Sequence, residues 1–156
     1  MKPKFKLAVV QIRTETDKEK TFAKAEKMIS EAADNGAELV VLPEMWNCPY
    51  SNDFFRAYSE SADGETVGRM SELAKTLGIY LIGGSIPELD DDRVYNTCFA
   101  FDREGQVIEK HRKAHLFDID VKGGIRFMES DTLTAGDAAT VIDTEYGKIG
   151  IAICYD

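Results

Sequence analysis

An α/β protein with a mixed sheet is what the sequence predicts, and three observations carry that expectation. Short β-branched runs such as Phe5 to Ile12 (FKLAVVQI) and Glu38 to Leu42 (ELVVL) alternate with stretches of helical period, the rhythm of β-α-β units with parallel strands. Two later pairs of strand-like runs are joined by tight turns, which adds antiparallel character. The chain has 156 residues, 44% of them hydrophobic and 30% charged, with no linker-like or low-complexity stretch, so residues 1–156 are expected to form one domain around one core.

Phe5 to Ile12 is bounded by polar residues and reads as a buried strand. Thr16 with Glu19 three residues on makes a capping box, and Phe22, Ala25, Ile29, Ala32 and Ala33 share one face of the following helix until Asn35-Gly36 stops it. Glu38 to Leu42 is a second buried strand. Pro43 cannot donate to a ladder, so it ends that strand and leaves Glu44 just past its carboxyl end. A helix over Val67 to Leu77 turns Met70, Leu73, Ala74 and Leu77 inward, Gly78 closes it, and Ile79 to Ile82 forms a third strand. Tyr95 to Phe101 and Gln106 to Lys110 flank the turn Asp102-Arg103-Glu104-Gly105 as a hairpin. Ala114 to Gly136 has no sustained period and holds Gly123-Gly124, so it reads as a long ordered loop, a type more often functional than idle. Thr140 to Asp143 and Lys148 to Ile153 make a second hairpin through Tyr146-Gly147. Such a sheet, with its crossover helices on one side, leaves its other face apolar until more chain or another molecule covers it.

The net charge of −9, with no local Lys/Arg block, repels phosphate backbones and anionic membrane surfaces and argues against nucleic acid as a partner. A small anionic substrate needs only one local cation and is not excluded. No apolar run approaches the roughly 18 residues that cross a bilayer. Met1 to Lys6 carries no apolar segment behind its basic residues, so the expectation is a cytoplasmic protein. Cys48, Cys98 and Cys154 are odd in number and scattered, without a C-x-x-C pair, which disfavours a disulfide framework and a structural zinc site.

Each thiol is then a small hydrophobe or a nucleophile. Cys154 follows a strand run and precedes Tyr155-Asp156, which puts its sulfur at a strand's carboxyl edge, where open α/β sheets place their ligands. On position alone, burial is the commoner fate of a lone cysteine. Glu44 sits before Met45 and Trp46, in partly apolar surroundings that raise a carboxyl pKa and suit a base; a solvated loop carboxylate fits equally. Lys113, among interleaved cations and apolar residues from Lys110 to Phe117, either turns inward to face an oxyanion or sits on a solvated basic edge. His111 and His115 are four apart, but no H-E-x-x-H is present and the segment does not read as a helix, so no metal pair is expected. Gly83-Gly84 reads as a tight strand exit rather than a phosphate cradle, since no Gly-rich helix start follows.

Six segments then occur in a recognisable order over nearly the whole chain: LPEMWNCPY around Glu44, YLIGGSIPE at Tyr80 to Glu88, YNTCFAF from Tyr95, KHRKAHLFDIDV from Lys110, FMESDTLTAG from Phe127, and the terminal GIAICYD. Together they resemble the nitrilase (carbon-nitrogen hydrolase) superfamily, and most of all its omega-amidases. The resemblance implies an α-β-β-α sandwich of which residues 1–156 are the amino-terminal half, incomplete at the carboxyl end. It implies Cys154 as nucleophile, Glu44 as general base and Lys113 as the cation near the oxyanion. Glu129 matches a second glutamate that orients groups near the lysine, the Tyr155 backbone N–H a second oxyanion donor, and Tyr50 a pocket-lining aromatic. The implied substrate is a short dicarboxylic acid monoamide such as 2-oxoglutaramate, 2-oxosuccinamate or succinamate. No metal or organic cofactor is required, and the implied assembly is a homodimer or larger homo-oligomer.

The residue types suit that chemistry on their own terms. A free thiol near neutral pH is only a few per cent thiolate, so a carboxylate base and an ammonium are needed beside it. Family members continue well past the cysteine, so two classes of reading stand. One is an amidase whose chain is longer or is completed by a complementing C-terminal half; the other is a non-catalytic fragment that associates through its uncovered sheet. Within the enzyme class, a carbamoyl amidohydrolase or an aliphatic amidase is the rival.

Overall fold

A computed structural model describes residues 4–156, so the part of the amino-terminal reading that rests on residues 1–3 lies outside the described residues. The chain opens as β1 (Leu7–Val9), α1 (Lys18–Asp34), β2 (Leu39–Val41), α2 (Asn52–Tyr58), α3 (Glu65–Leu77) and β3 (Tyr80–Ile82). β1, β2 and β3 are parallel neighbours, with Leu7 opposite Leu39 and Leu39 opposite Tyr80. β4 (Ile86–Asp90), β5 (Arg93–Phe101) and β6 (Val107–Arg112) continue the same sheet antiparallel. Thr97 pairs with both Ile86 and Arg112, and Ala100 with both Ile82 and Glu109. β3 and β4 therefore share one edge of β5, interrupted by Gly83-Gly84-Ser85, while β6 occupies the other.

Several expectations need correction. β1 is an edge strand, shorter than Phe5 to Ile12, and only half buried: Val10 is buried beyond its end, but Leu7 and Val9 point outward at 50% and 64% exposure. The cap of α1 is Asp17, whose side chain accepts from the Lys20 N–H at 3.1 Å, rather than Thr16. A carboxylate there both caps and complements the helix dipole, and the Thr16 carbonyl is occupied by the Tyr58 hydroxyl. α2 and β4 were not foreseen: seven residues give α2 barely two turns of period, and β4 (IPELD) holds Pro87, Glu88 and Asp90, which do not read as a strand. The segment expected as one long loop holds β7 (Asp118–Asp120) paired with β8 (Arg126–Met128), a 3-10 turn at Glu129–Asp131, and β9 (Leu133–Thr134), which is parallel to β5. The final hairpin, β10 (Thr140–Thr144) and β11 (Gly147–Ile151), forms as expected but ends two residues short of Ile153.

Packing makes three layers. α1 and α3 bury Phe22, Ile29, Met70 and Ala74 against Val40, Leu81, Phe99 and Phe101 on one face of the large sheet. On the opposite face, Leu39, Ile82, Cys98 and Ala100 meet Ile142, Ile151 and Ile153. The β10–β11 hairpin is thus a separate sheet that covers part of the face expected to be bare, because its alternate residues Ile142, Ile149 and Ile151 supply the matching apolar side. A third cluster of Met45, Phe55, Val94 and Leu133 lies under α2. Among the described residues, no helix is long and apolar enough to cross a membrane.

Candidate active site

Strand alternation decides where Lys113 goes. Lys110 and Arg112 project to one side of β6 and converge on the buried Glu88, at 2.6 Å for Lys110 Nζ and 2.8 Å for Arg112 Nε. Successive residues point to opposite faces, so His111 and Lys113 turn the other way, and both are buried. The Lys113 N–H donates to the Asn96 carbonyl and its own carbonyl accepts from the Gly136 N–H, which holds the backbone on the strand path past Arg112. Its fully buried ammonium lies 2.8 Å from Glu44 Oε1 and 3.0 Å from Glu129 Oε2. Burial disfavours that charge, but the hydrogen bonds and charges of Glu44 and Glu129 outweigh it and raise the Lys113 pKa. A buried charge needs such partners to persist.

Glu129 starts the 3-10 turn and is wholly buried. It accepts from the Tyr50 hydroxyl, from Lys113 and from the Phe117 N–H, while its own N–H donates to the Phe117 carbonyl. Tyr50 is half-exposed, its ring set against Phe55 and Phe127. Burial, then the Glu129 hydrogen bond, drives the Tyr50 phenol pKa far up, so it remains a donor.

Glu44 follows Pro43 in a turn held from one side by Gly84 and Ser85. The Ser85 N–H donates to the Pro43 carbonyl, Ser85 Oγ accepts from the Met45 N–H at 2.9 Å, and the Ser85 carbonyl accepts from the Trp46 N–H. Met45 adopts φ 46°, a left-handed conformation that costs a non-glycine residue about 1–2 kcal/mol, and these bonds hold it there. The surroundings of Glu44 are more polar than expected from its apolar neighbours in sequence, because Oε1 accepts from Asn96 Nδ2 at 2.9 Å as well as from Lys113.

Cys154 lies past β11 on the turn from Ile153 to Asp156, closed by the Asp156 N–H on the Ile153 carbonyl, and has φ 49°. It is the exposed cysteine; Cys48 and Cys98 are buried, and burial pushes each of their thiols up to about 12. The Cys154 thiol is raised too, by partial burial first, then by the charge and hydrogen bond of Glu44, with Lys113 opposing. Glu44, Lys113, Cys154, Glu129 and Tyr50 therefore meet in one place: Glu44 and Lys113 lie just past strands of the large sheet, Cys154 just past the facing hairpin, and Tyr50 and Glu129 on turns between elements. The Tyr155 side chain points outward, edge-on to Phe117. Beside the cluster, a cavity of about 400 Å³ between the sheets is lined by Glu44, Ser85 and Cys154 together with Leu39, Val41 and Ile82.

Sequence reasoning missed Asn96 and Asp156. Asn96 is a wholly buried amide in the apolar run YNTCFAF, a signal that was legible. Asp156 collects the Ala114, His115 and Ile153 N–H groups and the His111 ring. Those contacts bring the two histidines to one carboxylate, yet among the described residues no group of three His, Cys, Asp or Glu side chains is placed to hold a metal ion.

The carbon-nitrogen hydrolase family profile matches residues 6–156. The chain is similar to nitrilase homolog 2 of Dictyostelium discoideum, 55% identical over 97% of this chain and 47% of that protein. It is similar to the chloroplastic omega-amidase of Arabidopsis thaliana, 51% identical over 98% of this chain and 43% of that one. Among solved structures it resembles Saccharomyces cerevisiae Nit3, a member of branch 10 of the nitrilase superfamily, with a TM-score of 0.81 and 41% identity over 94% of this chain and 55% of that one. The chain spans about half the length of the curated relatives it matches.

Proposed function

Because this chain belongs to the carbon-nitrogen hydrolase family, we propose that the protein is a thiol-dependent amidase, with Cys154 as nucleophile, Glu44 as general base and Lys113 as the fixed cation. The observation that supports this most is the meeting of the exposed Cys154 thiol with a carboxylate that shares an oxygen with a buried ammonium. With its pKa raised by burial and then by Glu44, the resting thiol keeps its proton until Glu44 takes it. As sulfur bonds to the amide carbonyl carbon, its proton passes to Glu44, and the carbonyl π electrons move onto oxygen. Lys113 and the Tyr155 N–H, which donates to no acceptor among the described residues, face that oxyanion. When the intermediate collapses, the C–N bond breaks and nitrogen takes the proton from Glu44, leaving as ammonia. Glu44 then takes a proton from water, whose oxygen attacks the thioester; the C–S bond breaks, the sulfur is reprotonated, and a carboxylic acid leaves.

Glu129 and Tyr50 orient the lysine from behind. The omega-amidase names of the relatives support a short dicarboxylic acid monoamide as substrate. Cytoplasmic placement and assembly into dimers or larger forms belong to the same proposal; the three free thiols support the first, the family likeness alone the second. The test is ammonia release from succinamate and 2-oxoglutaramate by the full-length polypeptide, beside carbamoyl and simple aliphatic amides. C154S is expected to lower kcat by about 10³-fold or more. Turnover that survives C154S, or no turnover of any of these amides, overturns the reading.

A further inference from the structure

We infer that Asp156 is a positioning residue for the nucleophile: its carboxylate ties the turn carrying Cys154 to the segment carrying Lys113, and His111 is the buried post that holds it. This rests on the proposed amidase reading of the same site. The two oxygens divide the work. Asp156 Oδ1 accepts from the Ala114 and His115 N–H groups, each at 2.9 Å, immediately after Lys113. Oδ2 accepts from the Ile153 N–H at 3.0 Å, immediately before Cys154, and lies 2.8 Å from His111 Nε2. The other ring nitrogen of His111 is 2.9 Å from Thr140 Oγ1 on β10, so the post spans from the large sheet to the hairpin. The Asp156 side chain is 8% exposed and that of His111 4%, and neither faces solvent enough for water to replace these bonds.

The need for such a tie follows from the architecture. Glu44 and Lys113 stand on the large sheet, whereas Cys154 hangs beyond β11, whose ladder partner β10 belongs to the other sheet. Among the described residues, no ladder hydrogen bond joins the two sheets to fix the distance from sulfur to base. The left-handed φ of Cys154 also needs an external restraint, since a strained residue persists only where its surroundings over-determine it.

Asn is the sharpest probe, because it keeps the size and one acceptor but presents an NH2 group to N–H donors that need an oxygen. For D156N in the full-length polypeptide, kcat on succinamate is expected to fall roughly 10- to 100-fold with KM changed less than about threefold, the pattern of a misplaced reacting atom. A second readout needs no amide substrate. In the wild type, iodoacetamide alkylation of Cys154 follows a thiol held above the ordinary value by partial burial and then by Glu44; in D156N the sulfur moves off Glu44, the Glu44 contribution is lost, and the alkylation profile shifts toward lower pH. A residue that only stabilises the fold would lower the melting temperature and leave that profile in place. Unchanged kcat and an unchanged alkylation profile in folded D156N overturn the inference. If D156N does not fold, H111Q decides by the same two readouts, with an unchanged result again overturning it. If the wild type hydrolyses no amide but D156N still shifts the alkylation profile, the positioning role stands and the amidase reading falls.

Discussion

In the proposed mechanism Glu44 acts on the Cys154 thiol in two ways that pull in opposite directions. Burial first, then the charge and hydrogen bond of Glu44, hold the proton on sulfur in the resting site, and in that mechanism Glu44 is also the acceptor when sulfur attacks. Gln in its place removes one negative charge beside the thiol and leaves Lys113 paired with Glu129 alone. The expected outcome for E44Q is therefore split: kcat for amide hydrolysis falls about 10²- to 10⁴-fold, while iodoacetamide alkylation of Cys154 at pH 7 to 8 becomes faster. Rates measured on one preparation check both arms, and slower alkylation would mean that Glu44 does not set the thiol. The sequence carried Glu44 and Cys154 because both follow strand runs that end abruptly. Lys113 stayed open between a solvated edge and the site until the pairing of β6 with β5 set its side. Asn96 was legible as an amide in an apolar run, but its partner Glu44, 52 residues away, was not; Asp156 gave no such signal, and its partner Ala114 lies 42 residues away along the chain.

Among the elements, the break between β3 and β4 carries the most consequence. Gly84 has φ 60°, and a Cβ there would stand 2.1 Å from the Pro43 carbonyl oxygen. Without a side chain, the segment approaches close enough for Ser85 to bracket Glu44 with three hydrogen bonds. G84A is expected to destabilise the protein by roughly 2–4 kcal/mol, combining the left-handed penalty with the clash, and chemical denaturation reads it. Gly83-Gly84 was legible as a tight strand exit, but what that exit supports was not, since Pro43 comes from another strand. The helices α1 and α3 were plain in the sequence, each with one apolar face and a glycine just past its end. The cap of α1 falls one residue on, at Asp17, whose side chain accepts from the Lys20 N–H, while the Tyr58 hydroxyl, 42 residues away, holds the Thr16 carbonyl.

For the molecule as a whole, acid should loosen the join between the two sheets. Asp156 is held down to about 2 against an ordinary value near 3.8: burial opposes the charge, but the bonds from His111 and the three N–H groups prevail. A lowered carboxylate contributes stability above its unfolded value and loses it as pH falls through the folded one, so this contribution fades between about 3.8 and 2. Glu88, lowered against its burial by Arg112, Lys110 and Thr97, adds a loss of the same sign. Lys113 works at the other end. Its pKa is raised above 10.5, so its contribution is complete below that value and is lost as pH rises beyond it. Thermal melts of the full-length polypeptide should show a falling melting temperature from pH 4 to 2, with a shallower fall in D156N. An identical slope in that variant would remove Asp156 from the acid response.

Local signals carried far in this chain. Apolar period, glycine stops and proline ends marked the three parallel strands and two of the three helices, since such choices act on residues three or four apart. The motif order around Glu44, Lys113 and Cys154 likewise needed no coordinates. Contacts across the layers decided the rest: that the last hairpin is a second sheet facing the first, that Lys113 turns inward, and that a carboxylate two residues past the cysteine ties the site together. Those outcomes depend on which surfaces meet, and burial pairs residues by proximity in space, for which spacing along the chain holds no record.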